Sequence, residues 1–224
     1  MHDPAVEDGV KSLSDLFRAA DPLQTRAVFH YMRLLLDSGQ AVSVDSLAES
    51  LQLPLEQAQS VTREIRARGG EFDSEGNFIG FGLTLVPTPH RYHAQERELY
   101  VWCATDALIF PVIFGHSAVI RSPDPVTGET IRLSITADAV ESVTPKTAVL
   151  SQAMETLDVD NVRGSMCSYG HFFGSVDSAK QYIGNHKGAG LQIVPVSKGF
   201  RIGRILVKRD PSMRAILSQL APGC

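Results

Sequence analysis

The chain has 224 residues, a net charge of −4 and 43% hydrophobic residues, which suits one large domain or two small ones with a proper core. Its acidic and polar start, residues 1–11, is unlike a secretory signal, and its longest apolar stretch, Ala107 to Phe114, is shorter than the roughly 18 residues of a membrane span. We therefore expect a soluble cytoplasmic protein without membrane contact, and its acidic charge gives no reason to expect a nucleic-acid partner.

Residues 1–86 have the pattern of a helical module that ends in a β-hairpin. Helical spacing of apolar residues comes first, and two short helices follow, at Ser46 to Leu51 and from Pro54 to about Arg68. A turn at Glu75-Gly76-Asn77 then predicts a hairpin whose second strand runs from Phe78 to Leu85. Helices followed by such a hairpin predict a winged-helix-like module.

A winged helix raises the alternative of a DNA-binding regulator, and the charge of this module argues against it. Residues 1–80 contain seven Lys or Arg and thirteen Asp or Glu, a balance of −6. A recognition helix must be attracted to a phosphate backbone, and this module would be repelled by one. We therefore interpret it as a packing module that covers one side of the following domain.

The pattern changes after Pro87 and Pro89, where we place a domain boundary. Residues 87–224 predict an α+β domain, with a mainly antiparallel sheet and flanking helices, on which the front module packs. The predicted strands are Glu98 to Trp102, Ser117 to Arg121, Glu129 to Ile135 and Gly190 to Val196. Met166 to Phe173 is predicted as a strand or the end of a strand, and Ala148 to Ser151 is a further short apolar run. The predicted helices are Ala104 to Phe114, interrupted at Pro111, a helix capped by Ser175 that runs to about His186, and a last helix from about Lys198.

The chain has three cysteines, Cys103, Cys167 and Cys224. An odd number this small does not make a disulfide scaffold, and cytosolic thiols stay reduced. Each cysteine is therefore a small buried hydrophobe, a metal ligand or a nucleophile.

Cys103 lies where a predicted strand ends and a predicted helix begins. The dipole and the free N–H groups of a helix N-terminus favour an anion, so we expect a stabilised thiolate there. Asp106, three residues later, lies on the same face of the helix. Because Leu108, Ile109 and Phe110 surround it with a medium of low dielectric constant, we expect the pKa of this carboxyl to be raised.

Cys167 is flanked by small residues and is followed by aromatic ones, so it could face a pocket from a neighbouring strand. Several interpretations stay open at this point. Two isolated cysteines are often inert core residues. A hydrolase that pairs Cys103 with His171, or a zinc site, is also compatible with the composition, although no CxxC or HxxxH spacing supports zinc.

Three segments resemble the organomercurial (alkylmercury) lyase family of bacterial mercury-resistance enzymes. They are Asp73 to Leu85, Leu99 to Pro111 and Ser165 to Phe173. Their order and spacing match the family from the helical front end to about Arg209, and the Trp-Cys-x-x-Asp block before a distant Cys is quite specific. The resemblance implies the same fold, a winged-helix-like module packed on an α+β catalytic domain.

The resemblance also implies residue roles. Cys103 and Cys167 match the two active-site cysteines, and Asp106 matches the catalytic carboxylate. All three are expected to be both catalytic and mercury-binding. Ser168 stands where some members have an adjacent cysteine, and residues 121–125 lack a further cysteine that some members have. Cys224 has no counterpart that we recognise.

The activity that the resemblance implies is protonolytic cleavage of a carbon–mercury bond, giving a hydrocarbon and Hg(II). Mercury arrives with the substrate, so no organic cofactor is expected. External thiols are expected to support turnover, and Hg(II) to be removed by low-molecular-weight thiols or handed to mercuric reductase. The alternative that we keep is a mercury-responsive winged-helix regulator.

Further residues near the three segments are candidates for the substrate pocket. Leu83, Phe110, Phe172 and Phe173 are apolar and could accept the organic group, or could equally be plain core. Tyr100 and His171 could donate hydrogen bonds within the site, although a structural role is the simpler interpretation.

Overall fold

A computed structural model describes residues 4–153, 158, 160–187 and 190–220, so Cys224 lies outside the described residues. The helices are α1 (Pro4–Ala19), α2 (Pro22–Ser38), α3 (Val44–Leu51), α4 (Leu55–Ala67), α5 (Ala104–Phe114), α6 (Val162–Ser165), α7 (Val176–Asn185), α8 (Val196–Arg209) and α9 (Pro211–Leu220), with a 3-10 turn at Cys167–Tyr169. The strands are β1 (Glu71–Phe72), β2 (Phe78–Phe81), β3 (Leu83–Thr84), β4 (His90–Ala94), β5 (Arg97–Val101), β6 (Ala118–Pro123), β7 (Thr130–Ile135), β8 (Val140–Thr144), β9 (Val149–Ala153), β10 (Phe172–Phe173) and β11 (Leu191–Pro195). Among the described helices, none has the length and apolarity of a membrane span.

The strands form two antiparallel sheets, which confirms the α+β prediction. The larger sheet has the order β1-β2-β3-β5-β4-β6-β7-β8, and the smaller one has the order β10-β9-β11. Because β3 of the front hairpin pairs with β5 of the second half, the larger sheet is continuous across Pro87. The division into units 1–86 and 87–224 is thus not visible as a break in the sheet, and it stays a proposal. The description of the front unit as a winged helix also stays a prediction.

Local signals in the sequence explain how the front helices begin and end. The Asp21 side chain caps α2 by accepting from the Gln24 N–H at 2.9 Å, and α2 ends at Gly39 in the left-handed conformation. Ser43 caps α3 in the same way. The helices then pack on the hairpin, since the ring of Tyr31 stacks on Phe78 with centroids 4.4 Å apart.

The predicted single strand from Phe78 to Leu85 is wrong. The chain reverses at Gly82, so that Phe81 and Leu83 lie opposite each other in β2 and β3. Gly82 has φ +76°, a conformation that L side chains rarely adopt, and this explains why a glycine stands there. The reversal turns β3 toward β5 and brings the hairpin next to α5.

Helix α5 lies at the centre of the molecule and is buried on nearly all sides. On one side Gly199 and Gly203 of α8 allow close approach, because a Cβ at Gly203 would lie 2.7 Å from Ile109 Cγ2. Helix α1 packs on the same helix α8. Helix α8 therefore contacts both α1 and α5. The Ser175-capped helix is confirmed as α7, whereas β4, β8 and α9 had no clear signal in the sequence.

We expect Gly82→Ala to destabilise the protein more than the same change at another left-handed glycine. An alanine at Gly82 would have the φ strain and would also place its Cβ 2.9 Å from Phe110 Cζ. Gly128 is the matched control, since it has φ +75° and nothing within 4 Å of a Cβ. Urea unfolding should show a loss of about 1–2 kcal/mol for Gly128→Ala and clearly more for Gly82→Ala. Equal losses would contradict the proposed clash with Phe110.

Candidate active site

Cys103 occupies the N-cap of α5, two positions after the last residue of β5, and the sequence predicts this place between a strand and a helix. Its backbone is extended, with φ −151° and ψ 171°, and its Sγ accepts a hydrogen bond from the Asp106 N–H at 3.4 Å. The same cap places the Asp106 side chain on the face of α5 that carries the sulfur.

Cys167 lies in a 3-10 turn, so the prediction of a strand from Met166 to Phe173 is wrong for its first part. Strand β10 contains only its last two residues. The reason is local: the N–H groups of Tyr169 and Gly170 donate to the carbonyls of Met166 and Cys167, which closes the chain into a turn. Cys167 therefore reaches the site from a turn and not from a strand.

Backbone and hydroxyl contacts fix this turn against the neighbouring elements. The Ala104 N–H, at the start of α5, donates to the Gly170 carbonyl at 2.9 Å. On the other side, the Ser151 hydroxyl of β9 donates to the Tyr169 carbonyl at 2.5 Å. The turn that carries Cys167 is thus bonded directly to the helix that Cys103 caps.

The fold brings Cys103, Asp106 and Cys167 together. One ligand atom from each lies within 4.8 Å of the other two, and Cys167 Sγ lies 3.8 Å from Asp106 Oδ2. The residues are 0%, 6% and 2% exposed, respectively. Among the described residues, this is the cluster of His, Cys, Asp or Glu side chains that could hold a metal ion. Two soft sulfur donors and one carboxylate oxygen suit a soft metal ion.

Burial controls the acid–base state of the carboxyl. It raises the pKa of Asp106 to about 6, although hydrogen bonds from the thiols of Cys103 and Cys167 act in the opposite direction. A raised pKa of this carboxyl was expected from the apolar residues that follow it in the sequence. A carboxyl with a pKa near 6 can both accept and release a proton close to neutral pH.

The expectation of a stabilised thiolate at Cys103 is wrong. Burial raises the pKa of Cys103, and the hydrogen bonds from Cys167 and the Asp106 N–H only reduce that effect. The pKa of Cys167 is raised well above its usual value by its hydrogen bond with Cys103 and by burial. Both sulfurs are therefore protonated before a metal arrives, and a thiolate forms only when a base removes the proton.

An apolar pocket borders the site. Asp106 and Cys167 line it together with Phe81, Trp102 and Phe110, and its volume is about 120 Å³. Of the four apolar candidates from the sequence, Phe110 lines the pocket, whereas Leu83, Phe172 and Phe173 belong to the packed interior.

The front helices form the remaining wall of this pocket. Leu13 and Phe17 of α1 and Val28 and Met32 of α2 line it, as does one residue of α4. The helix that would serve as the recognition helix of a DNA-binding module, α4, thus borders the pocket through Ile65. This arrangement fits the interpretation of the front module as a cover.

His171 does not assemble a hydrolase with Cys103. Its ring packs against His90 at 5.7 Å and Tyr182 at 5.2 Å. The neighbouring groups that act on the pKa of Cys103 are Cys167 and Asp106. Tyr100 also lies away from the pocket lining, beside Arg91 on the neighbouring strand.

The known proteins that this chain resembles are described as alkylmercury lyases. The family model described as alkylmercury lyase matches residues 83–208. An alkylmercury lyase of Bacillus cereus is 35% identical over 187 residues, covering 84% of both chains, and one of Streptomyces lividans is 36% identical over 194 residues, covering 85% of this chain and 84% of the relative.

The chain belongs to the alkylmercury lyase family. A solved structure titled as the mercury-bound form of MerB2 has the same fold, with a TM-score of 0.78 over 94% of this chain and 99% of that chain at 20% identity. The matched residues contain the whole Cys103, Asp106 and Cys167 cluster. Helices α1 and α2, which wall the pocket, precede the matched segment.

Several residues near the site were not predicted from the sequence. Trp102 lines the pocket, and the guanidinium of Arg163 lies 4.9 Å from its ring centroid. Arg163 also forms an ion pair with Glu71 of the front hairpin. The only available signal was the position of Trp102 next to Cys103. No spacing rule predicts that Arg163 and Glu71 lie together beside the site, because the two residues are 92 positions apart in the sequence.

We expect Asp106→Asn to make the protein more stable at pH 8. The folded-state pKa of Asp106, about 6, is above the ordinary value of 3.8, so the folded state loses stability as the pH rises from about 4 to 6. A neutral side chain avoids this loss, which corresponds to about 3 kcal/mol above pH 6. Urea unfolding should show the gain at pH 8 and almost none at pH 4.

Asp124→Asn is the control for this prediction and should have the opposite sign. Burial acts to raise the pKa of Asp124, but hydrogen bonds from the Ser178 hydroxyl and the Gly174 N–H outweigh it and lower the pKa. Loss of the carboxylate should therefore destabilise the protein at neutral pH. Destabilisation by both variants at pH 8 would contradict the assignment of a raised pKa to Asp106.

Proposed function

We propose that this member of the alkylmercury lyase family cleaves the carbon–mercury bond of organomercurials by protonolysis. The observation that supports it is one cluster, Cys103, Asp106 and Cys167, with ligand atoms within 4.8 Å of one another beside an apolar pocket. In this proposal the two sulfurs bind mercury and Asp106 transfers the proton.

The chemistry follows from the softness of mercury and the need to remove thiol protons. One cysteine thiol first displaces the external thiol from R–Hg–SR′, and its proton leaves with that thiol as R′SH. The second cysteine thiol gives its proton to the ionised Asp106 as its sulfur bonds to mercury. Two sulfurs now donate electron density to mercury, which makes the carbon basic enough to accept a proton.

Asp106 then acts as a general acid toward that carbon. The carbon–mercury bond breaks, R–H leaves, and the carboxylate is restored. The net change is R–Hg–S(Cys) plus Cys–SH giving R–H plus Hg(S–Cys)₂, which is balanced in protons and electrons. The 3.8 Å separation of Cys167 Sγ and Asp106 Oδ2 is short enough for the proton to pass when the side chains close on the metal.

The apolar pocket is the proposed site for the organic group. Its volume of about 120 Å³ is similar to that of apolar cavities of about 150 Å³ that accept benzene. Phe81, Trp102 and Phe110 exclude water from the reacting bond, and low polarity strengthens the interactions of the charged groups.

The remaining parts of the proposal concern the product. Hg(II) would stay on the two sulfurs, with an Asp106 oxygen as a weak third ligand. Low-molecular-weight thiols or mercuric reductase would then remove it. Two neighbouring thiols keep this function only in a reducing compartment, so we place the reaction in the cytoplasm, and no organic cofactor takes part.

The direct test is to incubate the protein with phenylmercury and excess thiol, and to measure benzene and inorganic mercury. Both products should appear in equal amounts and in proportion to the enzyme. Thiol alone and heat-denatured protein are the controls. If folded protein releases neither product from phenylmercury or methylmercury, the proposed function is wrong.

A further inference from the structure

Ser151, the third residue of β9, is a completely buried serine that does not line the apolar pocket. Its hydroxyl forms two hydrogen bonds, both with backbone groups of the segment that follows Cys167. The hydroxyl donates to the Tyr169 carbonyl at 2.5 Å and accepts from the His171 N–H at 3.2 Å. One side chain therefore holds the backbone on both sides of Gly170.

This hydroxyl stands where the pairing of β9 with β10 ends. Leu150 pairs with Phe172 in the sheet, and the Ser151 N–H continues the pairing by donating to the His171 carbonyl at 3.0 Å. In return, the His171 N–H donates to the hydroxyl of Ser151. The side chain thus takes a bond at the end of the strand pair, where the residues before His171 form the 3-10 turn.

The other side of this segment is bonded to the helix that Cys103 caps. The Gly170 carbonyl accepts from the Ala104 N–H at 2.9 Å, and the Gly170 N–H donates to the Cys167 carbonyl at 3.1 Å. Gly170 also lies against Cys103, since a Cβ on it would be 2.9 Å from Cys103 Cβ. The position of Cys167 Sγ, which is 3.8 Å from Asp106 Oδ2, therefore depends on a short turn held by β9 and by α5.

We propose that Ser151 is a positioning residue that fixes the turn of Cys167 and thereby sets the distance of its sulfur from Cys103 and Asp106. Without the hydroxyl, a carbonyl and an N–H of this segment would lose a partner, and the turn would shift because unpaired polar groups inside a protein are costly. The inference rests on the proposed function, because the separation of the sulfurs matters when both bind one mercury.

The first test compares two serine-to-alanine variants. Ser151→Ala removes the hydroxyl with the smallest change in size. The matched control is Ser178→Ala, because Ser178 is also a buried serine, its hydroxyl bonds to Asp124, and neither of these residues lines the pocket. Hg(II) retention against dithiothreitol is followed by the thiolate–mercury absorption band, and kcat and KM are measured for phenylmercury.

For Ser151→Ala we expect both Hg(II) retention and kcat to fall roughly 10- to 100-fold, as is typical when a group that orients metal ligands is removed. KM should change little, because the apolar pocket that receives the organic group is intact. Ser178→Ala should keep normal Hg(II) retention and kcat. An equal loss in Ser178→Ala would assign the effect to the fold in general and overturn the proposal.

A second pair of variants separates the hydroxyl from the packing of the side chain. Threonine and valine have nearly the same shape, and only threonine has a hydroxyl. Ser151→Thr should therefore retain Hg(II) better and have a higher kcat than Ser151→Val. Equal values in the two would indicate packing alone and would overturn the role of the hydroxyl. This pair also decides the question if Ser151→Ala does not fold.

The effect should pass through Cys167. In the Cys167→Ser background only one mercury-binding sulfur remains, so Ser151→Ala should cause no further loss of Hg(II) retention. A further loss of the same size would contradict the proposal, as would a folded Ser151→Ala variant with normal Hg(II) retention and kcat. Failure of the proposed function itself would be distinguishable, since the unchanged protein would then bind Hg(II) but release no benzene.

Discussion

Replacing Cys167 with serine is expected to lower kcat/KM for phenylmercury on the order of 10⁴-fold or more, and Cys103→Ser should do the same. Serine keeps the size of the side chain but replaces a soft sulfur with a hard oxygen, which binds mercury weakly. With one sulfur remaining, the substrate still binds, but the second donor that makes its carbon basic is absent. Benzene release in a single turnover is the measurement.

Two controls make this result interpretable. Ser168→Ala changes the neighbouring exposed residue and should leave the rate close to that of the unchanged protein. Circular dichroism of Cys167→Ser and Cys103→Ser should show an intact fold, because each change is isosteric. Each serine variant should also lose Hg(II) to dithiothreitol much faster, since it offers one sulfur and not two. A serine variant within tenfold of the normal rate would rule out the pair of sulfurs as the mercury ligands.

Asp106→Asn should separate mercury binding from proton transfer. The amide can neither take the thiol proton nor deliver it to carbon, so kcat should fall by roughly 10²- to 10⁴-fold. Both sulfurs remain, so the variant should still bind Hg(II) and show the thiolate–mercury absorption band. Normal turnover in Asp106→Asn would refute the proton relay.

The pH dependence gives a second measurement of the same role. Asp106 must be ionised to accept a proton, so kcat/KM should fall as the pH drops through about 6, the raised pKa of this carboxyl. Because the carboxyl interacts with both thiols, this value describes the cluster as a whole. The acid limb should disappear in Asp106→Asn, whereas it should persist in Asp124→Asn. In that case the Asp106 carboxylate would support catalysis and would also lower the free energy of unfolding at neutral pH.

Local chemistry made parts of this structure predictable. Ser43 and Ser175 mark helix starts because their side chains accept hydrogen bonds from the free N–H groups there. The strand-then-helix pattern around Cys103 predicted the cap of α5, and the three-residue spacing predicted that Asp106 lies beside the sulfur. These relations involve contacts within one turn of helix, so they can be derived without the rest of the chain.

Other parts depended on contacts that sequence spacing does not contain. The reversal at Gly82 was predicted as a continuous strand, because alternation of apolar residues does not show on which residue a chain folds back. The 3-10 turn of Cys167 was predicted as a strand for a similar reason, since a short apolar and aromatic run fits either structure. Pocket residues such as Leu13 and Met32 looked like ordinary helix faces.

The sequence alone determined the family, through its Trp-Cys-x-x-Asp block and the distant cysteine, and it determined the pairing of Cys103 with Asp106. Only the tertiary structure brought Cys167 to Asp106 across 61 positions, and only it decided that both thiols are protonated at rest. The physical reason is burial. Every element packed around α5 contributes to the desolvation of Cys103, and this desolvation raises the pKa of the thiol more than the helix N-terminus lowers it.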